Sequence, residues 1–121
     1  MSEGKRPKRY DLEDRTLEFA LRVRRFVKKL PKTIANAEDI RQLVKASGSV
    51  GANYREANEA LSKKDFAMRV KISRKESKES GYWLRLVDTD GNAELDAERT
   101  QLIQEATEFV KIFNAIVQKS K

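Results

Sequence analysis

Apolar or small residues recur at alternating spacings of three and four along four stretches of the chain. The first is Leu12, Thr16, Phe19, Val23, Phe26, Leu30, and the second is Ile40, Leu43, Ser47, Val50, Tyr54, Ala57, Leu61. The third is Phe66, Val70, Ser73, Ser77, Ser80, Leu84, Val87, and the fourth is Leu95, Arg99, Leu102, Ala106, Phe109, Phe113, Ile116. This alternation keeps one face of an α-helix turned toward a partner. Four such faces in 121 residues predict an all-α fold, an antiparallel up-down-up-down four-helix bundle.

Local signals place the boundaries. Residues 1–10 show no periodicity and read as a disordered basic tail, which leaves residues 11–121 as the bundle domain. The first helix is expected to begin near Asp11 or Asp14. Its early turns hold Asp11, Glu13, Asp14 and Glu18, and its end holds Arg24, Arg25, Lys28 and Lys29, a polarity that complements the helix dipole. Pro31 stops it, because the residue before a proline avoids the α region. Residues 31–36 form a linker with Asn36 as a candidate N-cap, and the second helix is expected from Ala37 to Leu61. Ser47, Gly48, Ser49, Gly51 and Ala52 crowd the middle of that helix. Interior glycine costs roughly 1 kcal/mol relative to alanine, so either another backbone approaches closely there or the helix breaks at Gly48. Ser62 and Asp65 form a capping box for a third helix that runs to Val87. Residues 88–92 are a turn cluster, and the fourth helix spans Ala93 to Gln118.

The third helix has three faces. Beside its core stripe it carries a basic face with Lys64, Lys71, Arg74, Lys75, Lys78 and Arg85, and a second apolar face with Met68, Ile72, Tyr82, Trp83 and Leu86. A bundle needs one apolar face per helix. The second, holding the only tryptophan, marks an oligomer interface unless this helix is central enough to bury both. For a homo-oligomer, closed cyclic symmetry is the default. Ser73, Ser77 and Ser80 occupy core positions where leucine is expected. They read as a small-residue seam packed on the Ser47–Ala52 segment, with a polar cavity as the other reading.

Composition narrows the chemistry. Cysteine and histidine are both absent, which removes disulfides, thiolate metal sites, the cysteine nucleophile, the commonest general base and the commonest transition-metal ligand. Inward Glu-x-x-His pairs, the di-iron signature of such bundles, are therefore impossible. No metal or other cofactor and no small-molecule substrate are expected. No apolar run reaches the roughly 18 residues of a membrane span and no apolar segment follows the basic start, so a cytoplasmic protein is expected. The net charge is +7, and residues 62–87 alone hold eight basic against three acidic groups. Such an excess favours phosphate polyanions as partners.

The sequence also resembles a known family. The carriers are Asp11-Leu12-x-x-Arg15-Thr16-x-x-Phe19-Ala20, then Ser47 through Ala57, then Lys63-Lys64-Asp65-Phe66, and finally Lys75-Glu76-Ser77-x-Glu79-Ser80-x-Tyr82-Trp83-Leu84-x-Leu86. In order, these resemble the four-helix-bundle family of the 23S ribosomal RNA intervening-sequence protein, over about residues 11–117. The resemblance implies an antiparallel bundle assembling into cyclic homo-oligomers, typically pentamers. It also implies kinship with accessory proteins of diversity-generating retroelements, basic pentameric barrels that associate with a reverse transcriptase and nucleic acid. The family has no established catalytic residues, so none is carried over.

Three functions compete. The first is a non-enzymatic, nucleic-acid-binding homo-oligomer acting on RNA through phosphate contacts. Its carriers are Lys5, Arg6, Lys8 and Arg9 on the tail, Arg24, Arg25 and Lys28 on the first helix, and Lys71, Arg74, Lys75 and Lys78 on the third. The second is a protein-interaction scaffold, an accessory subunit for a reverse transcriptase, with Tyr82 or Trp83 as anchors. The third is an enzyme built on Glu56, Glu76 and Glu79 with Arg15, Arg69 or Tyr54. The reading preferred for those carboxylates is structural ion pairing with Arg55, Arg69 or Arg15.

Overall fold

A computed structural model describes residues 8–121, with side chains from Leu12 onward. Four helices make up the described chain: α1 Lys8–Val27, α2 Ile34–Asn58, α3 Lys63–Leu86 and α4 Ala93–Lys119. Neighbours pair in chain order and α4 returns to α1, while α1–α3 and α2–α4 are diagonals. Side-chain pairings fix the directions. Glu13 meets Arg55 and Thr16 meets Gly51 across α1 and α2. Across α2 and α3, Arg69 meets Asn53 and Ser73 meets the Val50 carbonyl. Across α3 and α4, Arg74 meets Asn114 while Arg85 shares a groove with Ala106 and Thr107. Arg15 meets Glu105 while Lys29, just past α1, meets Glu98. Every neighbouring pair is thus antiparallel, the up-down-up-down order that short connections impose.

The core is formed by the stripes. Phe19, Val23 and Phe26 from α1, Leu43 and Val50 from α2, Val70 and Leu84 from α3, and Leu102, Phe109 and Phe113 from α4 are fully buried. Phe109 meets Phe19 edge-on at 5.4 Å and Phe113 at 6.1 Å, and Phe113 reaches Tyr54 at 5.7 Å. These rings fill the bundle axis across the α2–α4 diagonal.

Several boundaries differ from expectation. α1 begins at Lys8, ahead of Asp11, and residues 1–7 of the expected tail lie outside the described residues. α2 begins at Ile34, and its N-cap is Thr33 rather than Asn36: the Thr33 hydroxyl accepts the Asn36 N–H from an extended residue. Asn36 is instead a buried clamp. Its amide donates to the Pro31 and Asp88 carbonyls, and its Oδ1 accepts the Asp88 N–H, each at 2.9 Å, tying the α1–α2 loop to the end of α3. Leu61, expected to close the second stripe, lies beyond the end of α2 and is 99% exposed. The α2 helix is unbroken at Gly48.

The small residues of α2 serve two neighbours. Ser73 donates across the α2–α3 seam to the Val50 carbonyl at 2.9 Å, and Ser77 and Ser80 return their hydroxyls to carbonyls one turn back on α3. The seam is therefore packed, with its hydroxyls satisfied. Gly51 faces α1 instead. A Cβ there would lie 2.8 Å from Thr16 Oγ1, so glycine is what lets α1 approach. Arg99, an odd member of an apolar stripe, donates to the Val87 carbonyl just past α3 and pairs with Asp96. Asp90 and Gly91 both have positive φ, at 56° and 73°, and turn the chain into the Asn92 cap of α4.

Candidate functional site

The expected cations fall into distinct environments. Lys5 and Arg6 lie outside the described residues, as do the side chains of Lys8 and Arg9. On α1, Arg24 donates to the Ala20 carbonyl and lies across Gly48, whose missing side chain leaves room for the guanidinium. Arg25 pairs with Glu18 at 2.8 Å, and Lys28, just past the end of α1, is exposed with no ion pair among the described residues. On α3, Lys75 lies 4.0 Å from Glu76 and 3.8 Å from Glu79.

Lys71, Arg74, Lys78 and Arg85 form a different group. None of the four has a carboxylate partner within ion-pair distance among the described residues; Arg74 donates to the Asn114 side-chain oxygen at 2.8 Å. They lie on the flank of α3 that adjoins α4. A shallow groove of about 280 Å³ runs there, lined by Lys78, Gly81 and Arg85 from α3 and Ala106, Thr107 and Val110 from α4. Arg85 reaches back along the helix over Gly81, its guanidinium 3.5 Å from where a Cβ would sit. From Lys71 to Arg85 the row rises about 21 Å along the axis. Arg85 belongs to this row, although the sequence reading placed it on the basic face without assigning it to binding.

Met68, Tyr82 and Leu86 are about half exposed. Ile72 and Trp83 are half-buried, and Trp83 packs against the core cluster. Tyr82 stands edge-on to Trp83 at 5.0 Å. The second apolar face therefore leans on its own subunit at the indole and leaves its methionine, tyrosine and terminal leucine outside.

The carboxylates considered for catalysis do not converge. Glu56 is exposed, and Arg69 donates to Asn53. Arg15 makes a two-pronged pair with Glu105, both bonds 2.8 Å, and lies 5.3 Å over the Phe109 ring. That hydrogen bonding raises the Arg15 pKa above its ordinary value. The pairing expected of Arg55 also goes elsewhere, to Glu13. Burial, and then the neighbouring Glu79, raise the Glu76 carboxyl above its ordinary value. Among the described residues no cluster of three or more metal-ligating side chains forms, and no helix is long and apolar enough to cross a membrane.

The comparisons agree with this architecture. No curated protein matches the chain. A crystal structure of a protein with unknown function from the S23 ribosomal protein family of Bacteroides thetaiotaomicron is 30% identical, with a TM-score of 0.73, covering 87% of this chain and 96% of that one. The family described as 23S rRNA-intervening sequence protein matches residues 8–115, nearly all of the described bundle. The chain belongs to the 23S rRNA-intervening sequence protein family.

Proposed function

We propose that this protein is a non-enzymatic homo-oligomer, a cyclic pentamer by preference, that works in the cytoplasm and binds RNA through phosphate contacts. The observation that carries the reading is the row Lys71, Arg74, Lys78 and Arg85, four cations on one flank of α3 with no carboxylate at ion-pair distance among the described residues. Arg15, Arg25, Lys29 and Arg55, by contrast, are each drawn into an ion pair. Cations without a partner keep their full charge for a polyanion, and release of the counterions around its phosphates supplies the affinity. Lys5, Arg6, Lys8 and Arg9 add charge to the same interaction. The contacts are to backbone rather than base edges, so they confer little sequence preference. Self-association multiplies the row by the number of subunits, and exposed Met68, Tyr82 and Leu86 are its proposed contact.

A second reading, an accessory subunit for a reverse transcriptase, is favoured by the same exposed Tyr82 beside Trp83. The two are separated by filter binding of a structured RNA at low salt. The RNA-binding reading predicts saturable binding by the wild type, weakened at least tenfold in Lys71→Gln/Lys78→Gln/Arg85→Gln. No binding at low salt, where charge acts most strongly, refutes it.

A further inference from the structure

α1 and α3 stand on a diagonal of the bundle, and their backbones do not approach each other closely. α1 keeps an outward stripe that the subunit leaves open, and α3 keeps one that runs from exposed Met68 to half-buried Ile72, Glu76 and Glu79. On α1 and the turn that follows it the stripe reads Leu17, Leu21, Arg25, Lys28, and on α3 it reads Met68, Ile72, Glu76, Glu79. Both advance by four, four and three residues. Position for position, two apolar residues are followed by two charges, basic on α1 and acidic on α3. Leu17 is 56% exposed, Leu21 41% and Met68 51%, more apolar surface than a helix facing only water would carry.

Direction makes the match usable. In an up-down-up-down bundle α1 and α3 run the same way. Rotation about an axis parallel to the bundle preserves that direction, so α1 of one subunit meets α3 of the next in parallel. Parallel is the orientation in which these stripes pair apolar with apolar and cation with anion.

We infer that the outer face of α3 is covered by α1 of a second copy of this chain, with Leu17 and Leu21 on Met68 and Ile72, and Arg25 and Lys28 on Glu76 and Glu79. This deepens the self-association proposed above and rests on it. The junction is head-to-tail, one subunit giving its α1 face and receiving on its α3 face, the arrangement that closes into rings. The partners these charges now have are exchangeable. Arg25 and Glu18 are each 56% exposed, and Lys75 stands 4.0 Å and 3.8 Å from Glu76 and Glu79, and such surface pairs contribute little. The junction leaves Lys71, Arg74, Lys78 and Arg85 free, because they lie on the α4 flank.

The test is charge exchange, read by light scattering on a sizing column with circular dichroism to confirm folding. Arg25→Glu/Lys28→Glu and Glu76→Arg/Glu79→Arg should each weaken assembly at least tenfold, shifting the chain toward single subunits at micromolar concentration. Combining all four in one chain should restore the wild-type mass. Lys28→Glu with Glu79→Arg, at an exposed position and at one less buried than Glu76, repeats the exchange if replacement of Glu76 disturbs folding. An assembled wild type whose mass is unchanged by Arg25→Glu/Lys28→Glu overturns this junction alone. Two disrupting variants whose combination stays dissociated overturn it as well. A wild type that is a single subunit throughout overturns both the junction and the proposed self-association.

Discussion

Gly48 and Gly51 lie three residues apart in the middle of α2 and do different things. A Cβ on Gly51 would fall 2.8 Å from Thr16 Oγ1 and 3.1 Å from its Cβ, whereas one on Gly48 would meet only the mobile end of Arg24, at 3.5 Å. Thr16 is buried, and its hydroxyl is held by the Leu12 and Glu13 carbonyls, so it has no room to yield. Gly51→Ala should therefore destabilise the fold by about 1–3 kcal/mol through overpacking. Gly48→Ala should raise stability by up to about 1 kcal/mol through helix propensity. Urea unfolding of the pair checks both signs. Glu76 gives a test in pH. Its folded-state pKa is raised, chiefly by burial, so the folded chain holds that proton more tightly than the unfolded chain. The resulting stabilisation is fully present below the ordinary value of 4.5 and is lost as pH rises through the raised one. Glu76→Gln, measured at a dilution that keeps subunits apart, should be more stable than the wild type at pH 7. The gap should close on acidification, and a gap that stays constant from pH 3 to pH 7 would contradict the assignment.

Among the elements, the contact between α1 and α4 is the least extensive in the bundle, and polar links span it. Arg15 grips Glu105 in two places while covering Phe109, and Lys29 meets Glu98 at 3.0 Å. A two-pronged guanidinium pair over a ring is worth more than an ordinary exposed pair. A double-mutant cycle between Arg15→Ala and Glu105→Ala should give a coupling of about 1 kcal/mol, while one between Lys29 and Glu98 should give a few tenths. Equal couplings would contradict the role assigned to Phe109. The helices themselves were readable from the 3–4 stripes and from Ser62, Asn92 and Pro31. The start of α2 was not: Thr33 and Asn36 are both good cap residues, and only the backbone groups of Pro31 and Asp88, which Asn36 engages, decide which is which. Partners across helices were unreadable for the same reason. The sequence supplies abundant arginines and glutamates, and their pairing depends on a rotation and register set by Gly51, Thr16 and the serine seam.

On the scale of the whole molecule, the charge of +7 is less informative than its placement. Composition showed that the third helix is rich in cations, and helical spacing put them on one side. It did not show that Lys75 would turn to Glu76 and Glu79, or that Arg24 would lie back over Gly48. Both stay exposed but are engaged by neighbouring groups, whereas the α4 flank of α3 holds a row of four cations with no carboxylate partner among the described residues. Arg85 joins that surface because Gly81, one turn earlier, leaves its guanidinium a path over the helix.

The salt dependence of RNA binding tests this account most directly. Each phosphate neutralised contributes about 0.7 to 0.9 to the slope of log K against log salt. If the α3 row makes the contacts, the wild-type plot should fall steeply, and Lys71→Gln/Lys78→Gln/Arg85→Gln should flatten it by about 2 or more. Arg41→Gln, on α2 at a cation paired with Glu38 and outside both the row and the junction, should leave the slope unchanged. A wild-type slope that survives the triple replacement, or a flat plot from the start, would contradict it.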